Sequence, residues 1–229
     1  MNQILTTGIV LGRTDYGEAD RILTVLTPDQ GKLRLMAKGV RRVKSKLAGG
    51  IELFSVSQIT FIRGRGDIGT LVSTRLNKHY GDIVSHIDRV QLGYELIKQL
   101  DKTTEDEPEA GYFDLLVQAF EALSDPVIDT ELIRTWFSAQ LLRQGGLMPN
   151  LAHDNHGHKL SADQRYDFSI DEGLFRERSD GNFGVNEIKF LRLIFGHSSP
   201  AALAKIADGA ELAQRTRQLV VLWQQQYIQ

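Results

Sequence analysis

The chain has 229 residues, 41% of them hydrophobic and 24% charged, and a formal net charge of −2 at pH 7. That is enough for one large domain or two small ones, with a composition ordinary for a soluble globular protein. There is no cysteine, which excludes disulfides, thiolate zinc sites and a cysteine nucleophile, and no apolar run approaches the roughly 20 residues that span a bilayer. The N-terminus lacks the charged-then-apolar pattern of a signal peptide, so a cytoplasmic protein is expected.

The small net charge hides an asymmetry. Through Tyr80 there are 13 Lys and Arg against 6 Asp and Glu, a net of +7; the remainder holds 14 against 23, a net of −9. A basic module joined to an acidic one suggests separate jobs, with the basic part a candidate for binding a polyanion.

The first third reads as strands. Thr7–Thr14 is rich in β-branched residues, Arg21–Thr27 follows, and Pro28–Gly31 supplies a turn. Lys32–Lys38 alternates, with Leu33, Leu35 and Ala37 on one face and Arg34, Met36 and Lys38 on the other, the pattern of a half-buried strand. Between Lys38 and Lys46 stand five cations: Lys38, Arg41, Arg42, Lys44 and Lys46. No acid appears between Asp29 and Glu52. Ile51–Arg63 is a long strand or two with a bulge, Gly64–Gly69 a turn, and Thr70–Leu76 a fifth strand. Five strands with one longer connection after the third predict a small closed barrel.

After Tyr80 the period changes. Val84, Ile87, Val90, Tyr94 and Ile97 recur at three and four residues and predict an amphipathic helix. Thr103–Gly111 is a polar loop, Tyr112–Leu123 a second helix, and a third starts at Asp129 as N-cap and stops at Gly145–Gly146. The stretch 147–182 is polar and irregular, with short strands near Arg165–Ile170 and Glu172–Arg178. Helices return at Val185–Phe195, Pro200–Ile206 and Gly209–Gln226. The fold class is α+β in two domains, a basic barrel over 1–79 and an all-α region over 80–229 that carries the irregular insertion.

Few motifs point to catalysis. "GRGDIG" (Gly64–Gly69) matches GxGxxG, but a dinucleotide site needs a strand-to-helix junction and the residues that follow read as a strand. It reads as a hairpin turn, with Arg63 and Arg65 extending the basic surface. "HDNHGH" (His153–His158) offers three imidazoles, and a metal-dependent enzyme built on them is one alternative; a solvated loop is the plainer reading. No GxSxG and no Walker lysine motif occurs. The basic segment fits a phosphate backbone, with Tyr16, Phe54 and Phe61 as nearby rings able to stack on bases, although the two phenylalanines suit a barrel core better. Charge alone does not separate DNA from RNA, so an RNA-binding module stays open.

"DYGEADRILTVLT", "GKLRLMAKGVRRVKSKLAG" and "RGRGDIGTL" stand in an order and spacing that resembles the N-terminal region of RecO, a family of bacterial recombinational repair mediators. The remaining two thirds match more loosely, by helix pattern, the "GGLMPNL" turn and total length. The resemblance implies an OB-fold followed by a helical domain. It also implies binding of single- and double-stranded DNA, strand annealing without ATP, partnership with RecR and with single-stranded DNA-binding protein (SSB), and a nucleoid-associated location. Under it the DNA-binding set is Arg34, Lys38, Arg41, Arg42, Lys44, Lys46, Arg63 and Arg65. The acidic SSB tail needs an apolar groove with a cation at its rim; Arg134, with Phe137 and Leu141 on the same helix face, is named for it. Many family members carry a four-cysteine zinc module after the third helix. Here His153 and His156 fall at the first pair and nothing suitable at the second, near Phe175–Ser179, so no zinc or other cofactor is expected.

Overall fold

In a computed structural model, which describes residues 2–64, 66–104 and 110–227, the chain opens with five strands: β1 (Gln3–Tyr16), β2 (Asp20–Leu26), β3 (Lys32–Ala37), β4 (Ser55–Ile62) and β5 (Ile68–His79). They close into a barrel in the order β1-β2-β3-β5-β4, with β4 pairing back on β1. All neighbours are antiparallel except β3 and β5. Period-2 alternation in β3 and β4 sends Leu35, Ala37, Ile59 and Phe61 inward. There they meet Val10, Leu23, Val25 and Leu71 in one core. The strands match the expected ones in number and order, with β1 and β5 longer at their ends. The fourth is shorter than the expected Ile51–Arg63, since Ile51–Phe54 stays outside β4, where Phe54 takes a positive φ.

Two helices complete the same compact unit, Met1–Ser124: α1 (Ile87–Thr103) and α2 (Ala110–Ser124). The apolar face of α1 is the expected one only at Ile97 and, half-buried, Val90. Val84, Ile87 and Tyr94 are exposed, Val84 preceding the helix in the 3-10 turn Gly81–Ser85, while Leu92, Leu96, Ile97 and Leu100 are buried. Phe54 decides this. Its backbone takes a positive φ of 54°, and its ring packs edge-on against Tyr94 and Phe120. The ring lies over Gly93, where an added Cβ would come within 2.5 Å of it. The helix therefore turns its glycine face, and with it Leu92 and Leu96, toward the barrel side. Lys32 stitches the same seam by donating from Nζ to the carbonyls of Asp101 and Thr104, both at 2.8 Å, at the C-terminal end of α1.

The second unit, Asp125–Gln229, holds α3 (Thr130–Gln144), the hairpin β6 (Tyr166–Ser169) and β7 (Leu174–Glu177), α4 (Val185–Ile194), the short α5 (Pro200–Leu203) and α6 (Gly209–Tyr227). Asp129 caps α3 as expected, accepting from the Leu132 amide at 3.0 Å. Every residue from Thr135 to Leu142 is buried, so α3 is the central helix of this unit rather than a surface one. The hairpin packs on a ring cluster in which Phe175 contacts Tyr166, Phe168 and Phe183, and Phe168 meets Trp223.

Candidate nucleic-acid interface

The connection between β3 and β4 is neither helix nor strand. It is a run of turns from Lys38 to Leu47 that ends in a single 3-10 turn, Ala48–Gly50. Apolar residues fasten it at both ends. Val40 and Ile51 are buried in the barrel core and Leu47 packs against it. Thr74 Oγ1 donates to the Leu47 carbonyl at 3.1 Å. Gly50 lies so close to β5 that a Cβ there would meet Thr74 at 2.4 Å. Between these anchors Lys38, Arg41, Arg42, Lys44 and Lys46 are all exposed. The five cations thus stand on a fastened loop.

Their nearest counter-charge lies on the β1–β2 hairpin. Asp15 is paired with Arg21 at 2.8 Å and with Arg41 at 3.5 Å. The Arg21 hydrogen bond, followed by the fields of Arg41, Arg21 and Arg13, holds its carboxyl below the usual range despite some desolvation. The Arg41 amide also donates to the Ala19 carbonyl at 2.9 Å, and the Gly39 amide to Asp20 at 2.7 Å. Arg21 therefore stands beside the basic face, as does Arg13, which is itself paired with Glu52 at 3.3 Å; sequence reasoning missed both. The signal was the alternation of β1 and β2, which places Asp15 opposite Arg21 in register.

Arg34 and Arg63 line a separate cleft of about 320 Å³ with Gln30, Lys32 and Asp67. Arg63 donates to Gln30 Oε1 at 2.8 Å. Arg34 is exposed on β3, whereas Lys38 lies just past the end of that strand in the turns that follow. Arg65 lies outside the described residues. "GRGDIG" joins β4 to β5, two antiparallel strands, and so is not a nucleotide-binding junction. Of the three candidate stacking rings only Tyr16 is accessible, at 56% exposure, while Phe54 and Phe61 are 2% and 1% exposed.

In the second unit, Phe137 and Leu141 are fully buried, so neither lines an open groove beside Arg134. The Arg134 guanidinium is paired with Glu131 at 3.0 Å. The histidine loop closes on a carboxylate. Asp154, 5% exposed, accepts from the backbone amides of His156 and His158 at 2.9 and 2.8 Å. Burial works to raise the Asp154 pKa, but the two amides, then the histidine rings, outweigh it and leave it lowered. The His156 and His158 side chains are exposed, and in Phe175–Ser179, where a second ligand pair is expected to be missing, the Phe175 ring is buried. These residues do not fit a zinc module. Among the described residues no group of three or more His, Asp or Glu side chains is placed to hold a metal.

Comparison with known proteins decides the family. Residues 1–80 match the model of the Recombination protein O N-terminal region and residues 91–229 that of its C-terminal region. The chain belongs to the RecO family. It is 32% identical over 203 residues to the DNA repair protein RecO of Dehalococcoides mccartyi, covering 85% of this chain and 79% of that one. It is 31% identical over 169 residues to that of Halalkalibacterium halodurans, covering 73% and 65%. It is 30% identical over 166 residues to that of Desulforamulus reducens, covering 72% and 64%. Membership carries a role in DNA repair and recombination. No helix among the described residues is long and apolar enough to cross a membrane.

Proposed function

We propose that this chain is a non-enzymatic repair mediator that binds single- and double-stranded DNA on the basic face of the barrel and anneals complementary strands without ATP. The observation that carries the reading is the fastened β3–β4 loop with Lys38, Arg41, Arg42, Lys44 and Lys46 exposed. Arg34, Arg63 and Arg65 complete the proposed phosphate-binding set. We read the barrel as an OB-fold. Its strand order supports this, and so does the placing of Tyr16 and Arg63 beside the β1–β2 and β4–β5 connections, where such barrels take oligonucleotides. Division by job then follows 1–79 and 80–229.

Annealing follows from electrostatics. Two strands repel through their phosphates, and exposed guanidinium and ammonium groups neutralise that charge while releasing counterions. Base pairing supplies the sequence information, so no hydrolysed nucleotide is needed. RecR and SSB are the proposed partners, through which the protein helps to load recombinase on SSB-coated DNA. Arg134 is the proposed cation for the acidic SSB tail, and a tail-peptide titration indifferent to Arg134→Ala removes it.

The deciding experiment replaces Arg41, Arg42, Lys44 and Lys46 together by alanine. The salt slope for single-stranded DNA falls by about 3, at about 0.7 per lost phosphate contact, and annealing slows. Unchanged affinity and slope remove this loop from the site.

A further inference from the structure

One apolar residue of the basic loop, Val43, faces solvent. Val43 sits between Arg42 and Lys44 and is fully exposed, the most exposed of the large apolar side chains among the described residues. The neighbouring apolar residues Val40 and Leu47 both turn inward, to the barrel core. The turns that separate them are hydrogen bonded, with the Arg42 amide donating to Gly39 at 3.1 Å and the Ser45 amide to Arg42 at 2.9 Å. The loop therefore lifts a single β-branched side chain off the surface and flanks it with two exposed cations.

A partner for such a tip must be anionic outside and apolar within reach of a short side chain. An acidic protein groove would offer carboxylates to Arg42 and Lys44, but the polyanion of the proposed function is DNA. A bilayer offers the charge, but one valine is far too little apolar area to hold a protein there. A nucleic acid offers both: phosphates about one side chain away from base faces and edges.

We infer that Val43 is an apolar wedge that enters between neighbouring bases while Arg42 and Lys44 hold the flanking phosphates. This deepens the proposed function and rests on it. The wedge unstacks a base step at the point of contact, and so prepares a bound strand for pairing with its complement. Its side chain adds apolar burial that salt does not screen. Arg42 and Lys44, by contrast, contribute the salt-dependent part of binding.

The test uses the full chain and a short single-stranded oligonucleotide carrying 2-aminopurine, whose fluorescence rises when its stacking is broken. Binding of the wild type raises the signal. Val43→Ser loses most of that rise and up to about tenfold in affinity, with the salt slope unchanged, while Val43→Ile keeps both. Arg42→Ala shows the opposite pattern, with a shallower slope and the fluorescence rise retained at saturation. The inference is overturned if the wild type binds without a rise, or if Val43→Ser keeps it. It is equally overturned if Val43→Ser leaves the fluorescence rise intact and abolishes binding to phosphatidylserine vesicles. Absence of wild-type DNA binding at any salt concentration is a different failure: it removes the proposed function, and the wedge with it.

Discussion

Arg41 and Asp15 face each other at 3.5 Å, so the basic loop is tied to the β1–β2 hairpin by the kind of contact that a phosphate would make. The carboxylate orients Arg41 and Arg21 together and also competes with DNA for them. Replacing it by a neutral isostere keeps the shape and removes the competitor. Asp15→Asn is expected to raise DNA affinity about two- to fivefold, the range of an exposed ion pair. The rise is largest at low salt, and fluorescence anisotropy isotherms at several salt concentrations measure it.

Lys32 is basic and stands at the start of β3, yet its ammonium is spent on the end of α1. It donates to two carbonyls and pairs with Asp101 at 3.2 Å. Lys32→Met is expected to cost about 1–2 kcal/mol of stability and to leave the DNA salt slope unchanged. Chemical denaturation read beside DNA titration separates it from Arg42, whose loss does the reverse.

The seat of α1 depends on Gly93. A methyl group there meets the Phe54 ring at 2.5 Å, and Phe54 already holds a backbone conformation that side chains rarely adopt. Gly93→Ala is expected to destabilise the first unit by about 1–3 kcal/mol despite the better helix propensity of alanine. Circular dichroism melting checks it. A higher melting temperature would show that α1 is seated some other way.

Glu187 is buried beneath Arg215 and accepts from the Gly184 amide at 3.0 Å. Burial pushes its carboxyl pKa up, but its own and the Gly184 backbone amide and then Arg215 bring it below the ordinary glutamate value. A carboxylate with a lowered folded pKa contributes stability that is fully present above its unfolded pKa, about 4.3, and is lost as pH falls through the folded value. Urea midpoints of the wild type and Glu187→Gln are therefore expected to differ at pH 7 and to converge as the pH drops below about 4.

The Phe175 ring is fully buried among three others. Phe175→Ala is expected to cost about 3–5 kcal/mol, whereas chelator treatment leaves the melting temperature of the wild type unchanged.

The strands, the caps and the charge of the β3–β4 segment were legible in the sequence because each is a local pattern. Alternation in Lys32–Ala37, a capping Asp129 and five cations without an acid need no knowledge of distant residues. Two features were misread for the opposite reason. Of the expected stripe Ile97 is buried, but Ile87 faces outward, Tyr94 only edges the Phe54 ring and Val84 precedes α1, because the Phe54 ring seats on Gly93 and covers the side that carries Leu92 and Leu96. Phe137 and Leu141 have the spacing of a surface stripe but lie inside α3, which its neighbours surround. Apolar periodicity tells that a face exists; which face is covered depends on what packs against it. The same holds at the candidate site. Composition put positive charge between two strands, but the anchors at Val40 and Leu47, the Asp15 counter-charge and the outward Val43 exist only once the barrel has closed and brought β1, β2 and β5 alongside the loop.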